Sequence, residues 1–259
     1  QVYRGLDIGS GKITKREMQN VPHYLLDVAS PKHAFSVAQY QKLAKKKIKE
    51  ITARGKLPII CGGTGFYIQA IVDNLVLPEV KPNLKLRHEL EHKTTTQLHK
   101  ILKALDSARA EHIDVRNPRR LIRAIEIAKS LGRVPKLEHK LQHRNDGKSV
   151  VIIGLKIAPE DLKNKIKIRL EKRLKSGLIA EVRNLHEREK LSWQRLENLG
   201  LEYKFVALYL QKKIRTKAEL LEKLNTAIWH YAKRQMTWFR RDERIHWLTG
   251  KQALRLELR

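Results

Sequence analysis

The sequence predicts an α/β fold, in which a parallel sheet packs against helices and an all-helical segment is inserted into the core. The sheet is predicted by an apolar run of strand length at residues 57–61, which leads into a Gly-Gly-Thr-Gly loop and then into a helical pattern. Helix, strand, glycine loop and helix in this order are typical of a parallel sheet. The insertion is predicted by residues 79–140, which are polar, basic and helical in pattern. We therefore expect an α/β core of residues 1–78 and 141–259 and a helical insertion of residues 79–140.

The composition favours a nucleic-acid partner. The chain has 259 residues and is 41% hydrophobic, so it can bury a substantial core. No apolar run approaches the roughly 20 residues that a membrane-spanning helix needs, and we expect no membrane partner. A formal net charge of +28 predicts a polyanionic partner, most often nucleic acid, although any single lysine run can be a solvated surface. Cys61 is the single cysteine, which excludes a disulfide framework and fits a cytoplasmic protein, for which a monomer is expected.

Helix and strand signals justify the elements in order. Ser36 and Gln39 have the spacing of a capping box and predict the start of a helix, which Gly55 ends. The other predicted strands are a short buried strand at 24–30, a strand at 150–155 and an edge strand at 244–248. The other predicted helices are one that begins at Phe66, one from Pro159 to Gly177, one that follows it to about Glu189, and one at 217–240.

The segment at residues 5–12 invites comparison with a phosphate-binding P-loop. The P-loop pattern is Gly-x-x-x-x-Gly-Lys-Ser/Thr, whereas five residues separate Gly5 from Gly11 and Ile13 stands where a hydroxyl would hold magnesium. The sequence therefore predicts a structured turn here.

The loop Gly62-Gly63-Thr64-Gly65 follows the predicted strand and precedes a helix. Glycines allow a backbone to approach a ligand closely, and the start of a helix presents free N–H groups. The residues alone leave open whether this loop binds a ligand or is a plain tight turn.

Three basic segments are candidates for phosphate or RNA binding. Arg119 and Arg123 stack at i, i+4, and their repulsion is offset either by Glu126 or by phosphate. Residues 233–241 interleave basic and aromatic side chains, which suits RNA, with Trp238 toward the apolar side. The pair of arginines at 169 and 173 is by itself typical of a solvated helix face.

Five segments in order resemble the tRNA dimethylallyltransferases, also called tRNA isopentenyltransferases. They are residues 1–9, 62–67, 117–126, 177–182 and 231–240. The resemblance implies a P-loop NTPase-like parallel core that does not hydrolyse nucleotide. It also implies transfer of a dimethylallyl group from dimethylallyl diphosphate to N6 of the adenosine 3′ to the anticodon of tRNA. Mg²⁺ would help to bind the diphosphate, the insertion would grip the anticodon stem-loop, and the target base would be flipped out.

The resemblance also assigns roles to residues. Thr64 would lie by the target adenosine, with Gly62, Gly63 and Gly65 near the reacting centre, and Arg169 would stabilise the leaving diphosphate. The positions matched to tRNA contacts are Gln1, Arg87, Arg119, Arg120, Leu121, Ile122 and Arg123, followed by Lys233, Arg234, Gln235, Met236, Thr237, Trp238, Phe239 and Arg240.

The chain departs from the family pattern at several places. The family's first strand, its P-loop, its general-base Asp and the expected metal ligand would all precede residue 1, so we expect the chain to begin inside a longer protein. The usual Ile-Gly-Tyr-Lys is residues 199–202, with Glu202 in place of Lys, and Arg173 replaces a Met. The usual Asp-Pro of the insertion is Asp106-Ser107. The alternatives are a non-catalytic RNA-binding derivative and an enzyme that prenylates free adenine nucleotides, against which the basic insertion argues.

Overall fold

The computed structural model describes residues 1–136 and 150–255 and divides into two compact units. The core unit comprises Gln1–Val72 and Asp146–Arg259, and the insertion unit comprises Asp73–Asn145. The predicted return to the core at residue 141 lies outside the described residues.

Helices dominate both units. Within the described residues, none combines the length and the apolar character needed to cross a membrane. The elements are α1 (Val37–Ala53), α2 (Gly65–Val72), α3 (Leu84–Glu91), α4 (Thr95–Leu105), α5 (Ser107–Glu111), α6 (Pro118–Leu131), β1 (Ile152–Leu155), α7 (Pro159–Lys175), α8 (Leu178–Glu187), α9 (Trp193–Leu199), α10 (Leu201–Leu210), α11 (Lys217–Phe239), β2 (Ile245–Leu248) and α12 (Gly250–Ala253).

Local signals account for several helix ends. The predicted capping box at α1 is confirmed, because the Ser36 hydroxyl accepts the N–H of Gln39 and the Gln39 side chain accepts the N–H of Ser36. Pro159 begins α7 as predicted. In the insertion unit, Asn117 caps α6, and Pro118 stands in its first turn, where a missing N–H costs no hydrogen bond.

The sheet of the described residues consists of two parallel strands. β1 pairs with β2 in a register that places Ile152 opposite Ile245 and Leu155 opposite Leu248. Gly154 allows the close approach of the Trp247 ring, which a Cβ at this position would meet at 2.6 Å. The predicted strands at 150–155 and 244–248 are confirmed within one or two residues.

The strands predicted at residues 24–30 and 57–61 are absent. Residues 24–30 contribute one isolated parallel bridge, between Tyr3 and Ala29. At 57–61 the backbone is irregular, and Leu57 and Ile59 are 65% and 74% exposed. An apolar run forms a buried parallel strand only when neighbouring strands pair with it, and the described residues supply no such neighbour. The result is an α/β molecule with a small parallel sheet and many helices.

Each unit has its own apolar core. In the core unit, α7 packs against α11 through Ile166, Leu170, Leu224 and Ile228. A larger cluster in the same unit joins α8, α9, α10 and the start of α11 to residue Leu6 of the N-terminal segment, with Leu178, Val182, Leu185, Leu196, Val206 and Leu220 at its centre. The core of the insertion unit lies between α4 and α6 and includes Leu98, Leu102, Leu121 and Ile125.

Candidate active site and RNA-binding surface

The predicted turn at residues 5–12 is built around one carboxylate. Glu181, in the first turn of α8, accepts the backbone N–H groups of Asp7 at 3.1 Å, Ile8 at 2.6 Å and Gly9 at 3.1 Å. Tyr203 donates its hydroxyl to Glu181 at 3.0 Å and accepts the N–H of Ser10 at 3.1 Å. The segment is therefore a structured turn anchored on α8 and α10, as the sequence predicts.

Lys12 is a structural cation. Its ammonium lies 2.5 Å from carboxylate oxygens of Asp7 and Asp27 and donates to the Tyr3 carbonyl at 3.1 Å, and its side chain is 8% exposed. Burial alone would lower the pKa of Lys12, but the two carboxylates outweigh burial and raise it. The Lys12 ammonium is therefore already paired with carboxylates, whereas a P-loop lysine binds phosphate.

Gln1 is fixed by the same turn. Its side-chain amide donates to the Gly11 carbonyl at 2.8 Å. The residue remains exposed, so the contact orients the side chain without burying it. The turn thus positions Gln1, which the resemblance matches to a tRNA contact.

Arg169 and Arg173 occupy successive turns of α7. The Arg173 guanidinium lies 2.5 Å from a carboxylate oxygen of Glu202 and donates to the Gly9 carbonyl at 3.3 Å. Arg169 is exposed, and its side chain makes no hydrogen bond or salt bridge with any residue that the structure describes. Desolvation and the positive charge of Arg173 lower the pKa of Arg169, and Glu202 acts in the opposite direction. Arg169 is therefore a cation available to a ligand.

The glycine loop packs against α11. Gln235 donates its side-chain amide to the Gly63 carbonyl at 2.9 Å. A Cβ at Gly65 would collide with the indole of Trp238, so glycine is required by close packing there. Thr64 is exposed immediately before α2, and its carbonyl accepts the N–H groups of Tyr67 and Ile68. The loop is thus fixed by its packing on α11, and Thr64 remains on the surface.

The run 233–240 divides between the two sides of α11. Trp238 is half-buried and meets Phe66 edge-on at a centroid distance of 6.4 Å, which agrees with its predicted apolar orientation. The half-buried members of the run are Gln235, Met236, Trp238 and Phe239, and the exposed members are Lys233, Arg234, Thr237 and Arg240. The exposed members therefore present most of their surface to solvent.

An aromatic side chain supports part of this basic surface. The Lys233 ammonium lies 5.7 Å from the centroid of the Trp229 ring, and the Lys163 ammonium of α7 lies 5.3 Å from the same centroid. Arg234 lies 5.9 Å from the centroid of Tyr231. Cations held over aromatic faces keep their charge exposed while losing mobility.

The arginines of the insertion unit converge on Glu126. Arg87 donates from Nε at 2.8 Å and from Nη2 at 2.7 Å to the two carboxylate oxygens, and Arg123 donates at 3.3 Å. The Glu126 side chain is 1% exposed, and it also accepts the N–H of Asn83 at 2.9 Å. Of the two interpretations for Arg123, the structure shows the one in which Glu126 offsets the charge. Arg87 and Arg123 keep about a third of their side-chain surface exposed, at 33% and 35%.

The other residues of the 119–123 run differ in exposure. Arg119 and Arg120 are exposed, and Arg120 lies 3.8 Å from Asp114. Leu121 and Ile122 are 0% and 8% exposed. Their side chains therefore pack in the core of the insertion unit, and the exposed side chains of the run are those of Arg119 and Arg120.

Sequence reasoning missed three residues that organise the site. Glu181 and Tyr203 join α8 and α10 to the turn at residues 5–12, through contacts that span 172 to 193 positions. Glu202 joins α10 to Arg173 of α7. Local periodicity carries no signal for such contacts. Glu181 stands in one of the segments that carry the family resemblance, but its hydrogen-bonding role is visible only in the fold.

Similarity to known proteins extends over nearly the whole chain. Residues 1–242 match the family model described as IPP transferase. The chain is 42% identical over 252 residues to tRNA dimethylallyltransferase 2 of Treponema denticola, which covers 96% of this chain and 84% of that protein. The tRNA isopentenylpyrophosphate transferase of Bacillus halodurans has a similar structure, with a TM-score of 0.69 and 35% identity, over 98% of this chain and 82% of that one. A eukaryotic dimethylallyltransferase acting on tRNA shares the fold, with a TM-score of 0.75 and 21% identity over 98% of this chain and 69% of that one. The chain belongs to the IPP transferase family.

Proposed function

We propose that this chain transfers a dimethylallyl group from dimethylallyl diphosphate to N6 of the adenosine 3′ to the anticodon in tRNA. The observation that carries the proposal is the 42% identity over 96% of the chain to a protein named tRNA dimethylallyltransferase. The formal net charge of +28 agrees with a tRNA substrate. An unpaired arginine on α7 agrees with a diphosphate substrate.

The proposed reaction breaks one bond and forms one. The bond between C1 of the dimethylallyl group and the diphosphate oxygen breaks, and the diphosphate leaves with the bonding electrons. N6 of adenosine forms the new bond to C1 and gives up one proton to a general base, for which the resemblance implies an Asp. Arg169 binds the diphosphate oxygens, where negative charge grows as the bond breaks, and stabilises the transition state most strongly there.

The adenosine side of the site is assigned to exposed residues of the core unit. Thr64 offers a hydroxyl beside a loop whose backbone is fixed to α11 by Gln235. Gln1 offers an amide that the Gly11 carbonyl orients. Because phosphates are bound by exposed cations, we assign the tRNA backbone to Lys233, Arg234 and Arg240 of the core unit and to Arg119 and Arg120 of the insertion unit.

Magnesium remains an expectation of the resemblance. The described ranges bring together no group of three or more histidine, cysteine or acidic side chains that could hold a metal ion. Within those ranges the residues therefore do not form a metal site by themselves, and no step is assigned to a metal ion.

We also propose that the two parallel strands belong to a larger, P-loop NTPase-like sheet. The support is the exposure of Leu57 and Ile59 in the apolar run that leads into the glycine loop. Such a run is typical of a strand that is buried between two neighbours. A structure of the full-length protein tests this directly, because the same run must then pair with strands on both sides.

Prenyl transfer by the full-length protein is the test of the function. Labelled dimethylallyl diphosphate is offered together with an anticodon stem-loop, and the modified nucleoside is identified by mass spectrometry. The matched control is the same stem-loop with guanosine in place of the target adenosine, which must stay unmodified. Transfer to AMP in preference to the stem-loop supports the nucleotide-prenylating alternative, and salt-sensitive stem-loop binding without any transfer supports the RNA-binding derivative.

A further inference from the structure

Two arginines of α7 and one buried carboxylate at the start of α10 form a charged group. Arg169 and Arg173 lie one turn apart on α7, so they occupy the same face of the helix. Glu202 is 9% exposed in its side chain and pairs with Arg173, which is 16% exposed. Arg169 has no salt bridge among the described residues.

A buried carboxylate needs a cationic or hydrogen-bonding partner, because an unpaired charge of this kind is strongly destabilising. Arg169 lies one turn before Arg173 on the same helix face, so it is a candidate partner for the carboxylate if Arg173 is removed. The electrostatic attraction of Glu202 already acts on Arg169, opposing the desolvation and the repulsion that lower its pKa. The carboxylate is therefore a competitor for the cation that the diphosphate needs.

We infer that Arg173 is a positioning residue, which occupies Glu202 and so keeps the Arg169 guanidinium available to the diphosphate. The inference rests on the proposed function, since it concerns the ligand of Arg169. It assigns Glu202 no contact with substrate. The pairing matters because the Glu202 carboxylate could pair with either arginine. In the structure it pairs with Arg173, whose Nη1 lies 2.5 Å from Oε1 of Glu202.

Both members of this pair stand at positions where the resemblance implies another residue, Met at 173 and Lys at 202, while this chain has Arg173 and Glu202. A Met at 173 together with Glu202 would leave the carboxylate without its partner. The two departures are therefore interdependent, and this provides the variants for a test.

A second contact of Arg173 has to be separated from this effect. Its guanidinium donates to the Gly9 carbonyl at 3.3 Å, so it also touches the turn that holds Gln1. Loss of Arg173 removes this contact whether or not Glu202 is present. Removing the carboxylate in the same protein isolates the competition for Arg169 from any movement of the turn.

The experiment measures inorganic pyrophosphate binding in the full-length protein and three variants. Arg173→Met is expected to weaken pyrophosphate binding by about tenfold, within the range of coupling energies for residues in contact. The double variant Arg173→Met/Glu202→Gln is expected to return to within about threefold of the parent, and Glu202→Gln alone is expected to bind at least as tightly as the parent. Anticodon stem-loop binding is expected to stay within about twofold in all four proteins.

The asymmetry between the two single variants distinguishes this role from a structural salt bridge. If the pair only stabilises the fold, Arg173→Met and Glu202→Gln weaken pyrophosphate binding alike, and the inference is overturned. A double variant as weak as Arg173→Met also overturns it, because the turn contact then explains the loss. Should Arg173→Met fail to fold in a thermal melt, Arg173→Lys replaces it and must bind like the parent. If the parent itself binds no pyrophosphate and transfers no prenyl group, the proposed function has failed instead.

Discussion

Two sites in this chain combine a buried carboxylate with two arginines, and they use it differently. In the core unit, Glu202 pairs with Arg173 and leaves Arg169 without a salt bridge among the described residues. Positive charge at Arg169 is therefore not neutralised by direct contact. A cation in this condition can be neutralised by a ligand instead.

In the insertion unit, Glu126 pairs with both of its neighbours, Arg87 and Arg123. The carboxylate also accepts a backbone N–H from Asn83, so it ties the segment before α3 to α6. A carboxylate that pairs with both arginines stabilises the fold. A carboxylate that pairs with one arginine leaves the other arginine able to bind a ligand. The contrast predicts that truncation harms catalysis in the first site and folding in the second.

The largest effect is expected for Arg169→Ala in the full-length protein. Removing a group that stabilises charge only in the transition state costs about 10²–10³-fold in rate. Single-turnover prenyl transfer should fall by this factor, while anticodon stem-loop binding changes by less than about threefold. Arg169→Lys is the matched control, since it keeps the charge and loses the bidentate geometry. Its rate of prenyl transfer should lie between the rates of the parent and of Arg169→Ala. Equal losses of transfer and of stem-loop binding would contradict the assigned role.

In the insertion unit, Glu126→Gln is expected to reduce stability. The substitution leaves two arginines without their counterion, and breaking a buried pair costs several kcal/mol, which the one-third exposure of both arginines reduces to about 2 kcal/mol. Thermal unfolding should therefore begin several degrees lower, with hydrogen exchange in α6 accelerated. Glu89→Gln, at an exposed position of α3, is the control and should leave the melt unchanged. An unchanged melting temperature for Glu126→Gln would contradict the inference that Glu126 stabilises the fold and that the two sites differ in this respect.

Acidification should abolish the same stabilisation. Burial would raise the pKa of Glu126, but Arg87, the Asn83 N–H and Arg123 outweigh it and hold the pKa below the ordinary 4.5. A carboxyl whose pKa is lowered in the folded state contributes stability above its unfolded pKa and loses it as the pH falls through the folded value. The difference in melting temperature between the parent and Glu126→Gln should thus be complete at neutral pH and shrink below about 4.5. A difference that persists unchanged in strong acid would assign the effect to another cause.

The same contrast marks what the sequence could predict. The capping box at Ser36, the strands β1 and β2 and the partnership of Arg123 with Glu126 follow from signals within a few residues. Arg87 lies 39 positions from Glu126 and gives no local signal of that pairing.

Long-range pairing also explains the errors. Residues 57–61 have the composition of a buried strand, but a strand forms only where neighbours supply hydrogen bonds. Glu181 looks like an ordinary acidic residue in the first turn of a helix. Its three bonds to the turn at residues 7–9 depend on tertiary folding, as does the pairing of Glu202 with Arg173.

The turn at residues 5–12 should tolerate partial loss of its anchor. Tyr203→Phe removes the hydroxyl that joins Glu181 to the N–H of Ser10, while the three backbone bonds to Glu181 remain. We expect a loss of about 1 kcal/mol in stability, since one hydrogen-bonding group is removed without removing the carboxylate. Denaturant unfolding measures this, with Tyr209→Phe on the same helix as control. A loss as large as that of Glu126→Gln would show that the turn, too, depends on a saturated network.

The smallest effect is expected for a cation held by no carboxylate. Lys233 lies over the Trp229 ring and has no salt bridge among the residues that the structure describes. Lys233→Ala should weaken anticodon stem-loop binding about threefold and reduce the salt slope by about one charge, because one phosphate contact is lost. Its melting temperature should match that of the parent, unlike that of Glu126→Gln. Lys49→Ala, on the exposed face of α1, is the matched control for net charge. If Lys233→Ala and Lys49→Ala weaken stem-loop binding equally, the overall positive charge rather than the α11 surface accounts for RNA binding. The position of an exposed lysine would then not matter for binding.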